Sequence, residues 1–177
     1  FRWWAASMNS AQRIFEILDA SPEVVESALP VCLPQVRGEI ELKNVSFSYE
    51  PNKPVLSNIS FKARPGCMLG IVGHSGAGKS TIVNLISRLY DPQEGEVLLD
   101  GVNVKELSFA QLHKSIALVS QETYIFRGTV AENIAYARPE AGMREIIEAA
   151  AAGSAHDFIM KLPDGYNTVI GGGGRSL

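Results

Sequence analysis

The chain has 177 residues and a formal net charge of −3, and 46% of its residues are hydrophobic and 20% charged. This length allows one domain with a sizeable core. The slightly acidic balance gives no basic footprint for nucleic acid, so we expect no nucleic-acid partner. No apolar run reaches the roughly 18 residues of a membrane span, so no segment of this sequence is expected to cross a bilayer.

The cysteines and histidines give no sign of a metal or redox centre. Cys32 and Cys67 form no metal-binding or redox motif. Cys67 lies in an apolar run, where we expect a small core residue. His74, His113 and His156 have no cluster of carboxylates or cysteines beside them in the sequence, and we interpret them as surface or core residues.

Residues 1–19 carry apolar side chains at helical spacing and predict an amphipathic helix. Its apolar stripe consists of Trp4, Met8, Ala11, Phe15 and Leu18. Aromatic residues beside a basic residue at the start of this helix are typical of a helix that leaves a bilayer. A stripe that packs on another soluble helix fits the same residues. Residues 20–37 contain three prolines and predict a linker.

The rest of the chain mixes strand and helix patterns. Alternating or continuous apolar runs predict strands at residues 39–49, 55–63, 67–72, 96–99 and 116–119. Apolar residues at helical spacing predict helices at residues 82–89, 107–114, 130–136, 143–152 and 156–162. The pattern is that of an α/β protein whose last third is mostly helical.

A glycine-rich loop lies between the strand predicted at 67–72 and the helix predicted at 82–89. Its sequence, GHSGAGKST, fits the phosphate-binding pattern G-x-x-x-x-G-K-[ST]. Glycines let the backbone aim several N–H groups at one oxyanion, and the helix N-terminus adds partial positive charge. Lys79 would reach the β- and γ-phosphates, and the Ser80 hydroxyl would ligate Mg²⁺. The predicted nucleotide contacts are Gly73, Ser75, Gly76, Ala77, Gly78, Lys79, Ser80 and Thr81.

From about residue 38 to 177, the order of these motifs resembles the nucleotide-binding domains of ATP-binding cassette (ABC) transporters. The resemblance is closest to exporters, in which this domain follows the membrane domain on one chain. It implies an α/β fold: a P-loop NTPase (RecA-like) core, an antiparallel β subdomain, and part of a helical subdomain from about residue 129. It also implies that residues 1–19 end the last transmembrane-domain helix, and that the domain lies at the cytoplasmic face of a membrane.

The resemblance assigns roles to two residues outside the loop. Tyr49, 30 positions before Lys79, matches the aromatic residue that stacks on adenine, since a flat ring can stack on any base. A strand-end tyrosine packed on the following turn is the alternative interpretation. Gln121 matches the family's glutamine loop and would reach Mg²⁺ and the attacking water. The expected ligands are therefore ATP and Mg²⁺, with Lys79 and Gln121 in catalysis and Ser80 and Gln121 at the metal.

The resemblance also implies two kinds of partner. Residues 124–134 are similar to the exporter segment that begins the helical subdomain, which docks on the coupling helices of the transmembrane domains. Family members hydrolyse ATP between two domains arranged head to tail, and the second domain can be identical or different. The sequence does not identify the transported solute.

The end of the sequence is expected to leave the domain incomplete. Residues 174–177 resemble the lead-in to the family signature Leu-Ser-Gly-Gly-Gln. The Mg²⁺-binding Asp, the Glu that polarises water and the switch His of the family would follow later. Asp100 also ends an apolar strand, but Gly101 follows it, and we interpret it as a hairpin residue. The parent protein is expected to be an ATPase that drives export, and this chain to bind ATP without hydrolysing it alone.

Two other functions fit a phosphate-binding loop. A GTPase or small-molecule kinase is one, but the nearest match to the guanine-reading Asn-Lys-x-Asp, at residues 52–55, lacks the Asp and precedes the loop. The other is a regulatory module that holds nucleotide without taking part in transport.

Overall fold

The computed structural model describes residues 2–121 and 124–171. The signature-like residues 174–177 lie outside this description, as do the side chains of residues 2–7, 9 and 10, including Trp4. The chain divides into two compact units, Phe1–Leu118 and Val119–Leu177. Each unit is described by itself.

The first unit begins with the predicted helix, α1 (Arg2–Leu18). Three members of its apolar stripe, Met8, Phe15 and Leu18, are exposed. Within the described parts of the chain, no helix combines the length and the apolar character that a bilayer crossing requires.

Four antiparallel strands form the sheet of the first unit. They are β1 (Ile40–Phe47), β2 (Leu56–Ala63), β3 (Glu94–Leu99) and β4 (Val102–Asn103), in the order β2-β1-β3-β4. Leu42 on the central strand β1 is opposite Phe61 of β2 and Val97 of β3. The strands predicted at 39–49, 55–63 and 96–99 are therefore confirmed, and they form the expected antiparallel subdomain.

Two helices complete the core of this unit. They are α2 (Lys79–Ile86), which follows the glycine loop, and α3 (Phe109–Ser115), which follows a 3₁₀ turn at Val104–Glu106. Ser108 caps α3, because its hydroxyl accepts a hydrogen bond from the Gln111 amide. One hydrophobic cluster joins the sheet and both helices through Leu42, Val45, Phe47, Leu56, Ile82, Leu85, Val97, Leu99, Val104, Leu107 and Leu112.

Two strand predictions are wrong. Residues 67–72 and 116–119 belong to no strand and to no ladder among the described residues. Met68, Val72 and Val119 are 100%, 94% and 92% exposed, and Cys67, predicted to lie in the core, is exposed as well. An apolar run becomes a strand only where another strand satisfies its backbone groups, and no described segment does so here.

Residues 23–37, which we call the strap, run from the end of α1 to the sheet without a helix of their own and are fastened to the core. Val31 forms an isolated bridge with the residue before Ser108, and Leu33 makes two hydrogen bonds with the Gln111 side chain, at 3.1 and 2.6 Å. The Glu26 carboxylate accepts a hydrogen bond from the Phe109 amide at 2.8 Å. The segment predicted as a linker is therefore bound along the first unit.

A buried arginine also binds the strap. Arg88, two residues past α2, has a side chain only 2% exposed. Its guanidinium donates to the backbone oxygens of Val25 (2.8 Å) and Leu107 (3.3 Å) and pairs with Asp91 at 3.4 Å. It also lies over the Phe109 ring, 4.9 Å from the centroid. A buried charge requires such partners, so this cluster joins the end of α2 to the strap.

The second unit is mostly helical, as predicted. It contains α4 (Val130–Ile134), α5 (Met143–Ala152) and α6 (His156–Ile159), with a short ladder between β5 (Gly128–Thr129) and β6 (Val169–Ile170). Thr129 and Glu132 cap α4 reciprocally. The core of this unit comprises Val130, Ala131, Ile146, Ala150, Ile159, Tyr166 and Ile170. The helix predicted at 156–162 ends three residues early.

Asp100 occupies the hairpin between β3 and β4, which confirms its interpretation as a turn residue. Its φ of 50° is in the left-handed region, and its carboxylate accepts hydrogen bonds from the amides of Arg37, Gly38 and Glu39. Burial alone would raise the pKa of Asp100, but these hydrogen bonds outweigh it and lower the pKa below the usual value. Asp100 thus anchors the end of the strap to the hairpin.

We predict that Asp100→Ala lowers the free energy of unfolding by about 2 kcal/mol at pH 7, since three amides lose a charged acceptor. Asp100→Asn should cost less, because its amide oxygen still accepts and asparagine tolerates positive φ. The native contribution is present above the unfolded-state pKa of about 3.9 and is lost as the pH falls through the lower folded-state pKa. Urea unfolding across this range measures it. A wild-type advantage over Asp100→Ala that persisted in strong acid would contradict the prediction.

Candidate nucleotide-binding site

The glycine loop leads directly into α2. Gly76 and Gly78 both have a φ of +81°, and Gly78 is the N-cap of the helix. Such angles favour glycine, and they let the chain turn from the loop into the first helical residue. The loop residues Gly73, Ser75 and Ala77 are exposed. The predicted loop-to-helix arrangement is present, and its backbone is open to a ligand.

Lys79 is folded back across this loop. Its ammonium group donates to the backbone oxygens of Gly73 at 3.0 Å and His74 at 2.7 Å. Ser80, in the first turn of α2, is exposed. A phosphate group in the loop would offer Lys79 stronger, charge-assisted acceptors than these carbonyls. His74 itself is exposed and contacts the Ser75 oxygen, as expected for a surface histidine.

Gly78 is also packed tightly against β2. A Cβ atom at this position would lie 2.6 Å from Leu56 Cδ2 and 3.2 Å from the Val55 oxygen. At Gly76, by contrast, nothing lies within 4 Å of such an atom. The loop is therefore seated against the sheet at its helical end and free at its tip.

Tyr49 is brought next to α2. Its hydroxyl donates to Thr81 Oγ1 at 3.2 Å and accepts from Asn84 Nδ2 at 3.2 Å. The rings of Phe47 and Tyr90 stand edge-on to it, with centroids 4.8 and 5.1 Å away. Tyr49 remains 48% exposed. Tyr49, predicted to stack on adenine, thus contacts the helix that begins at the phosphate loop.

Asn84 and Tyr90 were not predicted as neighbours of Tyr49. Asn84 follows Thr81 by three residues, so both lie on one face of α2, and this spacing was a readable signal. Tyr90 had no such signal, because its contact with Tyr49 depends on the path of the chain after α2. A cavity of about 480 Å³ adjoins these rings and is lined by Glu23, Phe47, Ser48, Tyr49, Tyr90, Asp91 and Gln93.

Gln121 belongs to the second unit, whereas the loop belongs to the first. Its side chain is exposed, and its role at Mg²⁺ stays a prediction. Among residues 2–121 and 124–171, no group of three or more His, Cys, Asp and Glu side chains is arranged to hold a metal ion.

The second unit carries an exposed apolar groove of about 540 Å³. Phe126 stacks on Tyr136 with centroids 4.1 Å apart, and Tyr124 meets Phe126 edge-on at 4.9 Å. Tyr124, Tyr136 and Phe158 are half or more exposed. A surface patch of this kind is typical of a site that another protein segment covers.

The fold and the loop define this chain as part of a P-loop NTPase domain. The family model described as ABC transporter matches residues 56–173. The chain therefore belongs to the ABC transporter family, and the predicted resemblance is confirmed. Membership of this family decides against the GTPase and small-molecule kinase alternatives.

The relatives include exporter proteins. The chain is 46% identical over 167 residues to the "ATP-dependent lipid A-core flippase" of Syntrophus aciditrophicus, covering 94% of this chain and 28% of that protein. It is 44% identical over 172 residues to a "Fatty acid ABC transporter ATP-binding/permease protein" of Mycobacterium bovis, covering 97% and 27%. A solved structure of "a bacterial Atm1-family ABC exporter with ATP bound" matches with a TM-score of 0.88 and 35% identity, over 98% of this chain and 30% of that one. The chain thus spans less than a third of each.

The difference between the two loop glycines yields a prediction. Gly76→Ala should cost about 1–2 kcal/mol, the cost of a left-handed backbone in a residue with a Cβ. Gly78→Ala should cost a further 1–3 kcal/mol or so, because its methyl group overlaps Leu56. Thermal or urea unfolding of both variants measures the difference. Equal losses would mean that Gly78 does not fix the loop against β2.

Proposed function

We propose that this chain is the ATP-binding part of an ABC exporter, a protein that couples ATP binding and hydrolysis to solute movement across a membrane. The observation that carries the proposal is the joint placement of the glycine loop, Lys79 and the exposed ring of Tyr49 on or against α2. The relatives' printed names, flippase and ATP-binding/permease protein, support the exporter assignment. Under this proposal the domain lies at the cytoplasmic face of a membrane.

The first unit would bind both ends of the ATP molecule, the phosphates and the adenine base. The loop amides and the α2 N-terminus would bind the β- and γ-phosphates. Lys79 would exchange the Gly73 and His74 oxygens for phosphate oxygens. The exposed face of Tyr49 would stack on the adenine.

Mg²⁺ fits this arrangement through Ser80. The hydroxyl lies in the first turn of α2 and is exposed, and a hydroxyl oxygen beside phosphate oxygens is a donor that this ion accepts. Bound there, Mg²⁺ supplies charge neutralisation on the β- and γ-phosphates. Gln121 would orient the attacking water.

We infer that the 177-residue chain binds ATP without hydrolysing it on its own. In this proposal, turnover needs a second nucleotide-binding domain arranged head to tail, identical or different, together with a glutamate that polarises the water. Positioning and charge neutralisation account for most of phosphoryl-transfer catalysis, so an incomplete site should grip the nucleotide and do little more. The solute is not specified by this domain.

Equilibrium binding of Mg·ATP and of inorganic tripolyphosphate tests the nucleotide grip. Lys79→Ala should weaken both ligands by about 10- to 150-fold, since charge-assisted contacts to phosphate are lost. Tyr49→Ala should weaken ATP by about 5- to 150-fold and leave tripolyphosphate unchanged, because only ATP carries a base. Lys114→Ala, which removes an exposed lysine from α3, is the matched control.

Three outcomes would contradict the proposal. If the wild-type chain bound neither ligand, the proposed nucleotide site would be wrong. Tight binding of GTP without binding of ATP would indicate another class of NTPase. ATP turnover by this chain, abolished by Lys79→Ala, would show that the second domain is not needed.

We further propose that the apolar groove of the second unit receives the coupling helices of a transmembrane domain. The groove is lined by exposed aromatic and aliphatic side chains, as expected for a surface that buries an apolar helix end. The chain covers about 27–28% of relatives, one of which is named as a permease as well as an ATP-binding protein. The remaining length of such proteins can contain the transmembrane domain that the proposal requires.

Site-directed cross-linking in the full-length gene product tests the docking surface. With the exposed Cys32 and Cys67 replaced by serine, Phe158→Cys in the groove should cross-link to cysteines on the coupling helices. Glu148→Cys, exposed on α5 and outside the groove lining, should not. Equal cross-linking at both positions, or none at Phe158, would argue against the groove.

A further inference from the structure

Tyr49 is attached to α2 through its hydroxyl group. The hydroxyl donates to Thr81 Oγ1 and accepts from Asn84 Nδ2, each at 3.2 Å. A phenol hydroxyl can donate one hydrogen bond and accept another at the same time, so the Tyr49 oxygen satisfies both partners. Thr81 is only 4% exposed, which keeps the acceptor fixed and shields its bond from water.

Two aromatic rings limit the movement of Tyr49 on the other side. The rings of Phe47 and Tyr90 meet the Tyr49 ring at interplanar angles of 90° and 87°. The centroids of Phe47 and Tyr90 are 5.6 Å apart. Edge-to-face contacts of this kind are favourable and directional. The ring of Tyr49 is therefore held by its hydroxyl at one end and by two rings along its sides, although it is half exposed.

The helix that follows the phosphate loop also binds Tyr49. Thr81 directly follows Ser80, and Asn84 lies one turn further along α2, which begins at Lys79. A hydrogen bond from Tyr49 to these residues thus fixes the ring relative to the phosphate loop. The separation between the Tyr49 ring and the loop therefore depends on α2, which contacts the ring and begins at the loop.

We propose that Thr81 and Asn84 are positioning residues that tether the Tyr49 ring to α2 and so fix the distance between the adenine platform and the phosphate loop. This deepens the proposed function and rests on it. Thr81, which is also a predicted nucleotide contact, holds the ring through its hydroxyl group, and Asn84 acts only through Tyr49. A platform already in place spares the ordering cost that a mobile ring would add on binding, so the tether raises affinity for a ligand that carries both a base and phosphates.

The experiment is a double-mutant cycle on the 177-residue chain, read with ATP and with inorganic tripolyphosphate. Tyr49→Phe keeps the ring and its aromatic neighbours and removes only the hydroxyl. Both hydrogen bonds to α2 are then lost, so ATP should bind about two- to tenfold more weakly, the cost of ordering one side chain on binding. Asn84→Ala should cause a smaller loss, because the bond from Tyr49 to Thr81 remains. The double variant should bind ATP no more weakly than Tyr49→Phe alone, because without the hydroxyl Asn84 has no bond to Tyr49 left to lose.

Tripolyphosphate separates positioning from general damage. Its affinity should be unchanged in all three variants, since it needs the loop and not the platform. Ser115→Ala, which removes one side-chain hydrogen bond from α3, is the control for loss of a polar contact elsewhere in the first unit and should bind ATP as the wild type does.

The tether is overturned if Tyr49→Phe binds ATP as tightly as the wild type, or if the losses in the cycle simply add. Equal weakening of ATP and tripolyphosphate would also overturn it, because the effect would then be a disturbed fold. If Asn84→Ala fails to fold by circular dichroism, Tyr49→Phe alone decides. The proposed function itself would be wrong if the wild type bound neither ligand, or if Lys79→Ala bound ATP and tripolyphosphate as tightly as the wild type.

Discussion

The packing of α2 against the antiparallel sheet determines the position of the phosphate loop. Ile82 and Leu85 bury their side chains in the cluster that includes Leu42 and Leu56 of the sheet. At the start of the same helix, Gly78 approaches Leu56 so closely that no side chain fits between them. The burial of apolar area supplies the energy for this contact, and the missing Cβ allows the close approach. The loop geometry is thus a consequence of core packing.

The far end of α2 is fixed by polar contacts. Arg88 brings a full charge into the interior, where its cost is offset by two backbone oxygens, a carboxylate and an aromatic face. A lysine could not reproduce this planar set of donors. Since one of the oxygens belongs to Val25 in the strap, the chain between α1 and the sheet is tied to the helix that carries the loop. Asp100 ties the other end of the strap to the β3–β4 hairpin.

Local patterns in the sequence predicted the elements whose signal lies within one short segment of the chain. The strands around Leu42 and Leu98, the loop with its helix, and the Asp100 hairpin each carry their signal within about ten residues, through alternation, glycine spacing or a turn residue. The resemblance to the ABC transporter family singled out Tyr49. The sequence could not show that Tyr90 confines the Tyr49 ring or that Arg88 binds the strap. Those contacts are set by tertiary packing between segments with no shared periodicity.

The two wrong strands show the limit of an apolar run as evidence. Residues 67–72 and 116–119 have the composition of buried strands, yet Val72 and Val119 are almost fully exposed. Composition measures whether a segment could be buried, whereas a strand also needs a neighbour for its amide and carbonyl groups. The prediction that Cys67 is a core residue failed for the same reason. The predictions for β1, β2 and β3 were right because each of these strands has a partner strand among the described residues.

The division into two units separates the nucleotide grip from the groups proposed for coupling. Lys79, Tyr49 and their supports all lie in the first unit, which has its own hydrophobic core. Gln121 and the groove around Phe126 lie in the second, which has another. Under the proposed function, the contacts to the base and to the phosphates are therefore made in the first unit, whereas Gln121 lies in the same unit as the groove. A helix docked in the groove would thus bind the unit that carries the residue proposed to place the attacking water.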